Sequence, residues 1–237
     1  MFGRGRDEDP PPDDPLAWRP QRPMPERVRG GVVQDPIVEP EWTGLRVLAH
    51  FDSERTWRGE PGWLHLRDEQ GETADDRAPL AFAALRGAIA AVDAVIDGVL
   101  TDEATRSGVG ASVARVPDIP RFQMIVPRPS TVDVRPVDGH DRGGLVAFVA
   151  VDLLRLDGRV LLDLPLLERK RLLEAVVVPG DLVRVTPFTR PPIAPWLATW
   201  KATGIPGIVL KGANSRYRPD TLNPDWRVIR SVRKAGL

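Results

Sequence analysis

Cysteine is absent from the 237 residues, which excludes disulfides, thiolate metal sites and cysteine nucleophiles. Lysine is scarce: of 33 basic residues only Lys170, Lys201, Lys211 and Lys234 are lysines, and none precedes position 170. No apolar run approaches the roughly 18 residues that a membrane span needs, and the N-terminus has no hydrophobic segment typical of a secretory signal. These absences predict a cytoplasmic protein with no membrane partner.

The composition, with 42% hydrophobic and 28% charged residues, is typical of a globular domain. Residues 1–30 are rich in proline, aspartate and arginine, which predicts a disordered tail that Trp18, Met24 and Val28 could at most pin against the domain. Residues 31–233 are predicted to form the domain itself. Strand patterns lie at residues 45–51, 63–67, 94–100, 145–156, 207–211 and 226–232, and helical patterns at 79–91, 166–177 and 193–202. Their irregular interleaving favours an α+β fold over a doubly wound parallel sheet.

The formal net charge is zero, but basic residues concentrate at the C-terminal end. They are Lys211, Arg216, Arg218, Arg227, Arg230, Arg233 and Lys234. Such a cluster is a candidate DNA-binding region, because it can neutralise phosphates. A solvated basic face is the alternative interpretation.

Four segments form an ordered set of motifs. They are residues 39–46 (Glu-Pro-Glu-Trp-Thr-Gly-Leu-Arg), residues 96–100 with Asp97-Gly98, residues 148–158 continuing to 169, and residues 206–211 followed by 215–219 and 225–230. In this order they resemble the motifs of the adenylation domain of ATP-dependent DNA ligases, over about 190 residues. The resemblance implies a nucleotidyltransferase fold in which two antiparallel sheets and flanking helices enclose an ATP cleft. No later segment resembles the oligonucleotide-binding barrel that follows this domain in the family.

The resemblance places Glu41 where the family has the lysine that attacks the α-phosphate of ATP. The nucleophile must be an amine that can lose a proton, which arginine cannot do, and a carboxylate at this position opposes the negatively charged phosphates. Three family carboxylates are also replaced, by Thr43, Val99 and Pro206. Magnesium sites for phosphoryl transfer are built from such carboxylates, so the Mg²⁺ site is expected to be degraded and catalysis lost.

Other positions match groups that bind nucleotide or phosphate in the family. These candidates are Glu39 (adenine contact), Arg46, Arg67 (sugar or DNA contact), Phe148 (adenine stacking), Lys211 and Arg230 (phosphate contacts), whereas Val228 replaces a second phosphate-contacting lysine. ATP or AMP is therefore a candidate ligand. As alternatives, Phe148 belongs to the core, and Arg46 and Arg67 face solvent. The scattered His50, His65 and His140 have no metal-ligand spacing.

Three hypotheses follow. The first is a non-catalytic ligase-type domain that binds DNA, nucleotide or a repair partner and is linked to DNA repair and recombination. The second is an active DNA ligase or nucleotidyltransferase with an unusual nucleophile such as Lys211. The third is a purely structural or regulatory subunit.

Overall fold

A computed structural model describes residues 14–25, 32–57, 59–105 and 145–230. The strands are β1 (Arg22–Met24), β2 (Pro36–Pro40), β3 (Leu45–Trp57), β4 (Glu60–Asp68), β5 (Asp93–Thr101), β6 (Ala147–Leu156), β7 (Arg159–Val160), β8 (Val183–Val185), β9 (Ile208–Gly212) and β10 (Leu222–Ile229). The helices are α1 (Pro79–Ala88), α2 (Leu166–Val176) and α3 (Ile193–Ala202), with short 3-10 helices at Pro15–Ala17 and Glu103–Thr105.

The strands form two sheets. One has four strands in the order β1-β10-β9-β2, and the other has six, in the order β4-β3-β5-β6-β7 with β8 beside β6. Pairing is antiparallel except for β1 with β10 and β6 with β8. Asp157 and Gly158 turn β6 into β7 with positive φ at both positions, as the Asp-Gly pair predicts. The predicted α+β fold with two sheets is confirmed, with these two parallel pairs as its departures from a purely antiparallel arrangement.

The six-stranded sheet is buried on both faces, because successive residues of a strand point to opposite sides. Val47 and Ala49 of β3 pack towards Leu85 of α1 and Leu173 of α2. Leu48, between them in sequence, packs on the other side in a separate cluster. That second cluster joins the two sheets and contains Trp18, Ile37, Leu48, Val95, Leu154, Leu162, Leu166, Ala213, Tyr217 and Trp226.

Helix α3 covers the outer face of the four-stranded sheet. Leu197 and Trp200 of α3 are buried with Val38 of β2 and Leu210 of β9. The layers therefore follow in the order α1, six-stranded sheet, four-stranded sheet, α3, and α2 contributes Leu173 to the cluster under α1 and Leu166 to the cluster between the sheets. None of the helices in the described ranges is long and apolar enough to cross a membrane.

Residues 14–25, which the sequence assigns to the tail, pack onto the domain. Strand β1 pairs with β10, and Trp18 is buried between the sheets. The Gln21 side-chain carbonyl accepts hydrogen bonds from the Arg218 backbone N–H and the Asn223 amide. The tail prediction for residues 1–13 and 26–30 lies outside the described residues, and the domain boundaries stay a prediction.

Candidate functional site

The charged side chains predicted for the cleft lie between the two sheets, next to the apolar cluster that joins them. Glu39 on β2 is flanked by two lysines: Lys170 Nζ of α2 lies 2.6 Å from Oε1, and Lys211 Nζ of β9 lies 2.8 Å from Oε2. All three side chains are buried. The distances are those of ion pairs, although neither ammonium is aligned for a hydrogen bond within the described residues. Two buried cations therefore share one carboxylate.

The environment of Lys211 lowers its pKa. Burial lowers its pKa to about 8, the nearby Lys170 ammonium acts in the same direction, and Glu39 opposes both. The ammonium also lies 4.0 Å from the centroid of the Trp226 ring, a cation–π distance. Lys211 is thus held inside the protein and does not project into solvent as a free phosphate ligand.

Sequence reasoning missed Lys170 as a member of this site. Its signal was the helical spacing, because Leu166, Lys170 and Leu173 fall on one face of α2 at intervals of three and four residues. A lysine on an apolar helical face predicts a buried cation that needs an anionic partner. The partner, Glu39, lies 131 positions earlier in the sequence.

Glu41, which the sequence resemblance predicts to stand at the family's nucleophile position, forms a two-pronged ion pair with Arg230. Arg230 Nε donates to Glu41 Oε2 at 2.8 Å, and Arg230 Nη2 donates to Oε1. The Glu41 backbone N–H donates to the Gly207 carbonyl at 2.9 Å. The candidate phosphate-binding arginine is therefore paired with the carboxylate that replaced the lysine.

Thr43 binds a carboxylate that sequence reasoning did not find. Its backbone N–H and its hydroxyl both donate to Glu103, at 2.8 and 2.6 Å. Glu103 lies in a 3-10 helix and is buried. A carboxylate, that of Glu103, is thus present near position 43 although residue 43 is not acidic, and it accepts its hydrogen bonds from Thr43. Of the other two replacements, Val99 is buried on β5 and Pro206 is half-buried.

Arg46 takes part in a chain of hydrogen bonds that crosses the cleft. Its Nε and Nη2 donate to the two oxygens of Asp97, at 2.5 and 2.6 Å. The Tyr217 hydroxyl donates to Asp97 at 2.7 Å and accepts from the Gln21 backbone N–H at 2.9 Å. Burial and the Asp97 charge both raise the pKa of Tyr217, so this hydroxyl stays protonated. Arg46 does not face solvent as the alternative interpretation held.

A second buried ion pair supports the cleft from the side of α2. Arg169 donates from Nε and Nη2 to the two oxygens of Asp152 on β6, both at 2.8 Å, and neither side chain is exposed. Burial alone would raise the pKa of Asp152, but the adjacent Arg169 guanidinium outweighs it and the pKa is lowered. This pair fixes α2, and with it Lys170, against the sheet.

Two candidates lie apart from these charges. Arg67 donates to the carbonyls of Gly71 and Leu16, which joins a turn after β4 to the N-terminal segment. Phe148 is fully buried in the core beneath α1 and α2. A Cβ at Gly98 would lie 2.3 Å from its ring, so the ring packs directly on that glycine. This placement favours the core alternative for Phe148.

The basic C-terminal residues that the structure describes differ in their burial and in their partners. Lys211 is buried, Arg230 pairs with Glu41, and Arg216 pairs with Asp163 at 2.8 Å. Arg218 is exposed and Arg227 is half-buried. Arg233 and Lys234 lie outside the described residues. A DNA-binding role for this region stays a proposal.

The carboxylates of the cleft do not fit the Mg²⁺ site that the family uses. Magnesium requires oxygen ligands that can approach it in octahedral geometry. Here Glu39, Glu41, Asp97 and Asp152 are each paired with a lysine or arginine. In the described part of the chain, no three histidine or acidic residues are arranged to hold a metal ion.

A cavity of about 260 Å³ lies on the six-stranded sheet, away from Glu39 and Glu41. Its lining includes His50, Trp63 and Arg155, together with the N-terminal residues Asp14 to Leu16. Burial lowers the pKa of His50 to about 3, so its imidazole is neutral. Trp63 is partly covered by the Arg55 guanidinium, 4.2 Å from the ring centroid.

Two solved structures share the fold of this chain. The ligase domain of LigD from M. tuberculosis aligns with a TM-score of 0.58 and 22% identity, covering 92% of this chain and 60% of that one. A mycobacterial DNA ligase D complexed with ATP and MES aligns with a TM-score of 0.58 and 21% identity, covering 91% and 60%. The chain thus spans about 60% of the length of either structure. No protein-family model and no curated protein matches it. The fold is that of the nucleotidyltransferase domain of ATP-dependent DNA ligases.

Proposed function

We propose that this chain is a ligase-type adenylation domain that does not transfer adenylate and that serves DNA repair or recombination by binding DNA, a nucleotide or a repair protein. The main observation that supports this proposal is the ion pair between Glu41 and Arg230. A carboxylate at the attacking position opposes the approach of a phosphate, by about 4 kcal/mol for two unit charges 4 Å apart at an effective dielectric of 20. Lysyl adenylate cannot form at that position.

The neighbouring groups support the same proposal. Lys211 is buried between Glu39 and Trp226. Lys170 is bound to the same Glu39 carboxylate. Neither ammonium is exposed to a substrate. Glu39, Glu41, Asp97 and Asp152 are each paired with a lysine or arginine, and Glu103 accepts hydrogen bonds from Thr43. The cleft therefore retains the fold of an adenylation site without its nucleophile or its metal ligands.

A binding experiment distinguishes a domain that binds DNA from one that binds a nucleotide and from one that binds neither. Melting temperatures would be measured with ATP and with AMP, and fluorescence anisotropy with a labelled nicked duplex at low and high salt. A DNA-binding domain gives an affinity that falls steeply with salt, because phosphate contacts release counterions. A nucleotide-binding domain gives a rise in melting temperature with ATP or AMP. A chain that responds to none of these ligands is a structural or regulatory subunit.

An active enzyme with Lys211 as nucleophile is the second candidate function. One observation favours it: the pKa of Lys211 is lowered to about 8, which increases the fraction of neutral amine. A nick-sealing assay tests it, with Lys211→Ala beside the wild-type protein. Sealing by the wild type that disappears in Lys211→Ala would establish this candidate. The absence of sealing removes it.

A further inference from the structure

We propose that the Glu41 carboxylate is an internal anion that occupies the Nε–H and Nη2–H donors of Arg230, here called the fork. A phosphate binds to this fork only when Glu41 is displaced. The inference rests on the proposed function, because it concerns regulation of the same cleft. It adds a ligand class, a phosphate oxyanion, and the residue that competes with it.

The geometry of the pair supports this competition. Nε and Nη2 of Arg230 donate to the two different oxygens of Glu41, with Nε at 2.8 Å from Oε2. A guanidinium presents the same pair of parallel N–H groups to a carboxylate and to a phosphate. The two anions therefore compete for one set of donors, and they cannot occupy it together.

The two partners differ in exposure. The Glu41 side chain is 10% exposed, whereas the Arg230 side chain is 57% exposed. The guanidinium is thus accessible to a ligand from solvent, while the carboxylate is anchored behind it by the backbone hydrogen bond from Glu41 to Gly207. The pair is open to solvent only on the side of Arg230, and a competing anion would reach the guanidinium from that side.

Gly207 allows the pair to form. A Cβ at this position would lie 2.6 Å from Glu41 Oε2 and 2.8 Å from Arg230 Cγ. Both side chains therefore pack directly over the glycine backbone. The same Cβ would lie 2.7 Å from the Ile229 carbonyl oxygen, so the absence of a side chain at position 207 leaves room for the β10 backbone as well as for the ion pair.

A second cation borders the same position. The exposed Lys201 of α3 donates from Nζ to the Arg230 backbone carbonyl at 2.5 Å. When Glu41 is neutralised or displaced, Arg230 and Lys201 leave a locally positive surface at the end of β10. Such a surface attracts phosphate groups, whether they belong to a free nucleotide or to the DNA backbone.

The experiment compares the full-length protein with Glu41→Gln, which keeps the shape of the side chain and removes its charge. Two probes distinguish the sources of phosphate: inorganic pyrophosphate in a calorimetric titration, and a labelled nicked duplex with a 5′-phosphate in fluorescence anisotropy. Glu41→Gln is expected to bind at least one probe ten times more tightly than the wild type. Glu41→Ala provides a second variant without the carboxylate, and melting curves confirm that both are folded.

Matched controls test whether the gain in affinity of Glu41→Gln depends on the Arg230 guanidinium. Glu168→Gln removes the same charge from an exposed pair with Arg171, elsewhere on the surface, and is expected to leave the affinity unchanged. Glu41→Gln with Arg230→Met is expected to lose the gain, whereas Arg230→Lys in that background retains only part of it, because lysine lacks the two-pronged geometry. Unchanged binding in both Glu41 variants, or a gain that survives Arg230→Met, would overturn the inference. An AMP adduct on the wild type would contradict the proposed function instead, so the two failures are distinct.

Discussion

The residues of the cleft carry charges whose ionisation depends on their neighbours. Lys170 and Lys211 share the Glu39 carboxylate, and seven buried or half-buried charges lie between the sheets. Those are Glu39, Arg46, Asp97, Asp152, Arg169, Lys170 and Lys211. Four are basic and three acidic, so the group has one positive charge in excess when all are ionised. Burial is the main cause of the lowered pKa of Lys211, and the neighbouring Lys170 charge lowers it further.

Removing the second lysine changes the ionisation of the first. Lys170→Met deletes a cation that lowers the pKa of Lys211, so we expect this pKa to rise above its present value of about 8. The measurement is an NMR titration of the ¹³Cε resonances of the lysine side chains. Lys201→Met, at an exposed lysine outside the cluster, is the control and leaves the Lys211 titration in place. A Lys211 pKa that does not move in Lys170→Met shows that the two ammonium groups are not coupled.

His50 makes the stability depend on pH on the acid side. Its pKa is lowered to about 3 in the folded protein, chiefly by burial, against 6.5 for the unfolded chain. Between these values only the unfolded chain binds the proton, so the free energy of unfolding decreases as pH falls from 6.5 towards 3. The contribution of one such group is at most about 1.4 kcal/mol per pH unit.

Urea unfolding at a series of pH values checks this contribution. His50→Gln is expected to have a shallower loss of stability between pH 6.5 and 4 than the wild type, because the titrating group is gone. Equal slopes for the wild type and His50→Gln count against a neutral buried imidazole.

At the scale of elements, the Asp152–Arg169 pair fastens α2 to β6. Asp152→Asn leaves the fully buried guanidinium of Arg169 without its counter-charge, which costs about 3–5 kcal/mol for a buried pair. Isothermal urea denaturation measures the loss. Glu168→Gln, which breaks the exposed pair with Arg171 on the same helix, is expected to cost less than about 1 kcal/mol. Losses of similar size in the two variants show that burial does not distinguish the pairs.

The elements themselves were largely predictable, because their signals are local. Alternation identified β3 and β4, apolar spacing identified α1 and α2, and Asp157-Gly158 marked the turn after β6. The ion pairs were not predictable, since each joins residues far apart in sequence: Arg230 and Glu41 are 189 positions apart. The tail prediction missed β1 for a related reason. Its short strand is stabilised by pairing with β10 and by burial of Trp18, not by its own composition.

At the scale of the whole molecule, the fold is that of a nucleotide-transferring domain, whereas the charged side chains between the sheets are paired with one another. The two-sheet architecture is that of ligase nucleotidyltransferase domains, including one solved with ATP. In this chain the space between the sheets contains an apolar cluster at one side and mutually paired charges at the other. A domain with that interior can keep a binding surface while lacking the nucleophile, which is the central claim of the proposed function.

Intact-mass spectrometry of the full-length protein after incubation with ATP and Mg²⁺ tests that claim most directly. An active ATP-dependent DNA ligase, treated in the same way, serves as the positive control and gains the mass of one adenylyl group. The proposed function predicts that this protein retains its unmodified mass throughout. A species that carries AMP on any side chain would contradict it.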